Sequence, residues 1–105
     1  MSDLKIRIVD KLSLRASDLV PHPLNYRTHP ARQKALLKET VSAVGFARSL
    51  TIRQLSDGRY QLLDGHLRAE VYGDQLLPCE VVDLNDQEAR TFLLTFDPLA
   101  SLAET

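Results

Sequence analysis

The chain has no tryptophan, one cysteine and four glycines, and no apolar run near the ~20 residues that a membrane-spanning helix requires. Each scarcity excludes a class. A lone Cys79 cannot form an internal disulfide or a cysteine-only zinc site, and its neighbours Leu77-Pro78-Cys79-Glu80-Val81 place it on a strand as a small buried hydrophobe. No charge of one sign dominates: 13 basic residues face 14 acidic ones, for a net charge of −1. A protein that coats DNA non-specifically is usually far more basic, so any nucleic-acid contact rests on a local patch or a partner. Arg27, His29, Arg32 and Lys34 are the one cluster of basic residues. The start of the chain lacks the apolar core of a signal peptide, and the expected location is the cytoplasm. With 105 residues the expectation is one domain over 1–105, Met1–Ser13 being an N-terminal strand and lead-in and Leu99–Thr105 a C-terminal extension.

What is present is an alternation of short strands and helices. Leu4, Ile6 and Ile8 alternate with Lys5 and Arg7, which predicts a half-buried strand over Leu4–Val9, with weaker alternation through Leu12 and Leu14. Three prolines in Val20–Pro30 predict a loop, and Asn25, Arg27, Thr28 and His29 give it polar side chains suited either to turns or to binding. A helix is expected from about Pro30 to Val44, with Leu36, Leu37, Val41 and Val44 as its apolar stripe and Gly45 as its stop. Thr40 lies at the stripe's edge, where its hydroxyl either bonds back to the helix or reaches a ligand. Ser49–Leu55 and Arg59–Leu63 read as a hairpin around Ser56-Asp57-Gly58. A short helix from His66 to Tyr72, a strand over Leu77–Leu84 and a helix from about Gln87 follow, the last with Ala89, Phe92, Leu93 and Phe96 at helical spacing. Phe96, Leu99 and Leu102 either cover the core or meet a partner. The order indicates an α+β fold, a small mixed β-sheet with packed helices.

One stretch concentrates chemistry: Leu63-Asp64-Gly65-His66-Leu67-Arg68 carries a strand into a helix. Glycine permits close backbone approach, and a histidine and an arginine supply donors suited to phosphate at the start of a helix. Two readings stand at this point. The turn holds an anion, or Asp64 caps the helix, Gly65 makes the turn and Arg68 faces water.

Taken together, Asn25-Tyr26-Arg27-Thr28-His29, Thr40-Val41 with Gly45-Phe46, Leu50-Thr51-Ile52-Arg53 and Leu63-Asp64-Gly65-His66-Leu67-Arg68 resemble the ParB N-terminal and sulfiredoxin-like domains. The resemblance covers Leu14 to Ala103 and is strongest to phage and bacterial ParB-like nuclease domains associated with DNA modification, whose following sequence is similar to Phe92–Ala100. It implies the ParB/sulfiredoxin-like fold and a nucleotide or phosphate held at the turn. Arg68 then takes the phosphate-binding role, Gly65 the turn and His66 the variable position between them. Thr40 matches a hydroxyl facing the nucleotide, and Asn25, Arg27 and Thr28 match the segment beside it. His66 stands where sulfiredoxins carry a reactive cysteine, which turns the expectation away from redox repair. Free serine kinases of this fold read Asp-Gly-His-His-Arg, and here Leu67 replaces one histidine.

The function implied is a nucleotide-binding domain in DNA metabolism or modification, of phage or mobile-element type. The expected cofactor is a nucleoside triphosphate with magnesium, and the partners are nucleotide, DNA directly or through another protein, and a second copy or a DNA methyltransferase. The alternatives are a metal-dependent nuclease or nucleotide-dependent kinase, with His66 and Asp64 as catalytic candidates and Asp64 as the metal candidate, and a non-catalytic interaction module.

Overall fold

A computed structural model describes residues 4–24 and 30–96, residue 96 by its backbone alone. The loop residues Asn25, Arg27, Thr28 and His29, the side chain of Phe96, and Leu99 and Leu102 lie outside the described residues. The elements are β1 (Ile8–Leu14), a 3-10 turn (Ala16–Asp18), β2 (Leu19–Pro21), α1 (Ala31–Val44), β3 (Leu50–Gln54), β4 (Tyr60–Asp64), α2 (His66–Tyr72), β5 (Leu77–Val82) and α3 (Asp86–Phe96). They form an α+β fold with one mixed five-stranded sheet in the order β1-β5-β3-β4-β2. β3 runs antiparallel to β4 and parallel to β5, β1 antiparallel to β5, and β2 parallel to β4.

The period-two pattern of the strands puts apolar residues on both faces, and each face has its own core. Leu50, Ile52, Leu62, Leu77, Cys79 and Val81 pack with Ala69 of α2 on one side. On the other, Leu63 and Val82 pack with Ala89 and Leu93 of α3. α1 sits outside α2, and the two helices are joined by Lys34 and Glu70 at 2.9 Å. Cys79 is buried as expected, and its thiol pKa is pushed up by that burial.

The local signals held where they were self-contained. The Asp57-Gly58 hairpin forms, with Gly58 at φ 91° and Leu55 N–H donating to the Arg59 carbonyl at 2.7 Å. α2 spans the expected residues. α3 starts one residue early, closed by a reciprocal cap in which Glu88 N–H donates to Asn85 Oδ1 at 2.8 Å and Asn85 N–H to Glu88 Oε1 at 3.0 Å.

Three expectations are corrected. The first strand is Ile8–Leu14 rather than Leu4–Val9, and Leu4 and Ile6 are 84% and 68% exposed. Its partner β5 ends at Val82 instead of Leu84, so pairing begins only at Ile8, and an irregularity between Ile8 and Asp10 resets the alternation. Val20 and Pro21, expected as loop, belong to the three-residue strand β2; Pro21 is tolerated because β2 lies at the sheet's edge. In α1 the stripe is narrower than expected: Leu37 and Val41 are half-buried, but Leu36 and Val44 are exposed, because the helix packs on α2 rather than on the sheet.

Candidate functional site

The turn between β4 and α2 is fixed by Gly65. Its φ of 102° and ψ of 25° lie in the left-handed region that an L side chain rarely adopts. A Cβ there would strike the Leu50 side chain and stand 2.8 Å from Arg68 Nη2. Glycine is therefore required twice, for conformation and for the closeness of Leu50 below and Arg68 above. The first α2 hydrogen bond is Ala69 N–H to the Gly65 carbonyl at 2.9 Å, and the N–H groups ahead of it are those a helix cannot satisfy itself.

Arg68 folds back over this turn. Its Nη2 donates to the Ser49 carbonyl at 3.3 Å, while its buried Nε has no hydrogen-bond partner among the described residues. Burial lowers the guanidinium pKa; Asp64 opposes that shift and Arg48 adds to it. The group stays charged, since arginine titrates far above neutrality. A half-buried cation is thus held by a neutral carbonyl, with its buried Nε donor unused among the described residues.

Asp64 ends β4. α2 has no side-chain cap, so the reading of Asp64 as a helix cap is overturned: Gly65 occupies the cap position, and Asp64 Oδ2 instead lies 3.5 Å from Arg48 Nη2. The reading of Arg68 as a solvated side chain is corrected by the same geometry. His66 opens α2 and is half-buried. Thr40 is exposed on α1 and its hydroxyl donates to the Leu36 carbonyl at 3.0 Å, the helix-bonded of the two alternatives. The turn thus brings Asp64, Gly65, His66 and Arg68 together and leaves Thr40 on the neighbouring helix.

Three residues beside the turn carried no signal in the order of the chain. Arg48 and Ser49 precede β3 and reach the turn only because β3 and β4 are antiparallel neighbours. Ser49 has a second role: its hydroxyl donates to Glu80 Oε1 on β5 at 2.6 Å. Ser49 and Glu80 also line an open groove of about 410 Å³ with Lys11, Ser13 and Pro78. Register to Glu80 alone could not have been read from local patterning.

Magnesium bound by protein ligands needs carboxylates that converge. Among the described residues no three His, Cys, Asp or Glu side chains do so. Asp64 is answered by Arg48, Glu70 by Lys34 and Glu80 by Ser49, so the three acids take separate partners. The residues do not make a metal site of their own. Two cations, Arg48 and Arg68, stand against one carboxylate at a turn whose glycine lets the Arg68 guanidinium lie against it, and this arrangement is suited to an anion with several acceptor oxygens.

No protein-family model matches the chain, and no curated protein matches it. Solved structures do. The chromosome-partitioning protein ParB from Caulobacter crescentus, C-terminally truncated and complexed with CTP-gamma-S, superposes with a TM-score of 0.67 at 20% identity, over 85% of this chain and 53% of that one. Sulfiredoxin from Arabidopsis thaliana gives 0.64 at 15% identity, over 81% of this chain and 98% of that one. A Pnob8-like ParB-N domain gives 0.64 at 14% identity, over 90% of this chain and 39% of that one. The fold is that of the ParB N-terminal domain and sulfiredoxin, and the chain spans about half the length of the ParB structure it matches.

Proposed function

We propose that the chain binds a nucleotide through its phosphates at the Gly65–Arg68 turn. The observation that carries this reading is the Arg68 guanidinium, half-buried over Gly65 with Nε unpartnered among the described residues. A half-buried cation whose one hydrogen bond among the described residues is to a neutral carbonyl favours an anion that completes its donors. A ParB structure of the same fold, solved with CTP-gamma-S, supports the choice of nucleotide over other anions.

In this reading Gly65 makes the turn and lets the Arg68 guanidinium lie against it, Arg68 supplies the principal charge, and Arg48 adds a second cation at the rim. His66 contacts a phosphate or the base. Asn25, Arg27 and Thr28 are further binding candidates from the preceding loop, and Thr40 contributes only if its hydroxyl leaves Leu36. Magnesium would be held chiefly by the phosphates, with Asp64 the carboxylate nearest in sequence. We assign this binding to DNA metabolism or modification, a reading that the resemblance to ParB-like domains supports. The separate partners of Asp64, Glu70 and Glu80 favour binding over a metal-dependent nuclease.

The test is a calorimetric titration of the chain with CTP, ATP, GTP and ADP, with and without magnesium. Wild type is expected to bind at least one, and Arg68→Ala to bind it about ten- to a hundredfold more weakly, the loss of a charge-assisted contact. Equal affinity in Arg68→Ala, or no binding of any nucleotide by wild type, refutes the assignment.

A further inference from the structure

The turn leaves unused one of the most buried charged side chains among the described residues. Arg53 on β3 is 6% exposed. Its Nε donates to Gln61 Oε1 at 2.6 Å and its Nη1 to the Leu84 carbonyl at 3.3 Å. Gln61 is buried as well, so the guanidinium is positioned by neutral groups from below. Its carboxylate partner is Asp86, 2.9 Å from Nη1, whose side chain is 96% exposed. The buried cation is therefore answered by an acid that stands almost wholly in water, where its attraction is screened.

Two further donors gather at the same place. Arg90, one turn along α3 from Asp86, is exposed, has no ion pair among the described residues, and lines with Asp86, Gln87 and Thr91 an open cavity of about 340 Å³. His22 follows β2, whose Val20 is registered with Gln61. Its ring is 8% exposed, and Nδ1 accepts the Leu24 N–H at 3.0 Å, which leaves the ring proton on Nε2 as a donor. Burial holds the imidazole below its ordinary pKa, Arg53 and Arg90 push it the same way, and Asp86 opposes them. The groups that meet here are thus two cations, a neutral imidazole donor and one exposed carboxylate.

We infer that Arg53, Arg90 and His22 form a second anion site, separate from the Gly65 turn, that takes a phosphate group in the place now held by the Asp86 carboxylate. A phosphate oxygen suits the same Nη1 donor, and its remaining oxygens give acceptors for Arg90 and for His22 Nε2 that a single carboxylate oxygen does not. Arg53 needs no reordering, because Gln61 and the Leu84 carbonyl already fix its plane.

The full chain is titrated with inorganic phosphate and, in a second arm, with a short single-stranded oligodeoxynucleotide lacking terminal phosphates, while the His22 ring signal is followed by NMR against pH. Bound phosphate adds negative charge, and the His22 pKa is expected to rise. Arg90→Ala is expected to weaken binding about tenfold, and Asp86→Asn to strengthen it several-fold by removing the competing carboxylate. Arg68→Ala leaves this signal unchanged, which separates the site from the turn. A response to the oligonucleotide identifies a nucleic-acid backbone as the source, and a response to inorganic phosphate alone identifies a free phosphate or monoester. A His22 signal indifferent to both ligands overturns the inference. So does weaker binding by a folded Asp86→Asn; should that variant unfold, unaltered affinity in the surface variant Arg90→Ala overturns it.

Discussion

Gly65→Ala tests the turn against an internal control. The substitution places a Cβ on a residue at φ 102°, which costs about 1–2 kcal/mol for the left-handed conformation. It also drives that Cβ into the Leu50 side chain and to 2.8 Å from Arg68 Nη2, and overpacking of this kind costs about 1–3 kcal/mol. Together the loss is about 2–5 kcal/mol. Gly58, at φ 91°, carries the same backbone requirement but has no atom within 4 Å of its would-be Cβ, so Gly58→Ala loses only the conformational part. Urea unfolding of both variants isolates the difference, and thermal melts should separate them by roughly 4–8 °C for each kcal/mol. Nucleotide titration adds a second readout: Gly65→Ala displaces the Arg68 guanidinium and is expected to lose affinity, whereas Gly58→Ala keeps it. If the two variants unfold at the same urea concentration, the close approach of Leu50 and Arg68 to Gly65 is not a constraint, and the argument for the turn fails.

Two further outcomes follow from the α3 end of the molecule. Asn85→Ala removes the cap that receives the Glu88 N–H and is expected to cost about 1 kcal/mol in chemical unfolding, with Asn85→Asp nearly neutral. Hydrogen bonds from Arg7, and then the Asn85 backbone, hold the Glu88 carboxyl pKa down from 4.5 to about 2. Its folded pKa is the lower one, so its stabilisation is complete above pH 4.5 and is lost as pH falls through 2. Melting temperature measured across that window should fall less steeply in Glu88→Gln than in wild type; identical acid profiles would show that the Arg7 contact contributes nothing.

The parts of the fold legible in the sequence were those whose cause is local. Asp57-Gly58 makes its own hairpin, and α2 is bounded by Gly65 and Gly73 whatever packs on it. Gly73 matters through closeness: its would-be Cβ would stand 2.8 Å from the Ala16 side chain, and its carbonyl accepts the Ala16 N–H. The displaced β1 shows the opposite case. Leu4, Ile6 and Ile8 alternate as well as any strand, but a strand exists only as far as its partner extends, and β5 ends at Val82. β2 was hidden because proline excludes interior strands and says nothing against an edge. In the candidate site, Gly65 and Arg68 were legible because both belong to one short motif. Arg48, Ser49 and Glu80 were not, since strand pairing alone brings them near. Arg53 was the least legible, because nothing in Thr51-Ile52-Arg53-Gln54 distinguishes a buried guanidinium from one in water.

The position of β4 has a dynamic consequence. It is hydrogen-bonded to β3 on one edge and β2 on the other, while its adjacent residues Leu62 and Leu63 enter the two opposite cores. The strand that delivers Gly65 is therefore clamped on four sides. A local opening that lifts α1, or frays the end of α3, leaves it in place; only an event that breaches both layers can release it. Amide exchange at Leu62 and Leu63 is then expected to proceed through global unfolding, with the strand that leads into the turn held as long as the domain remains folded.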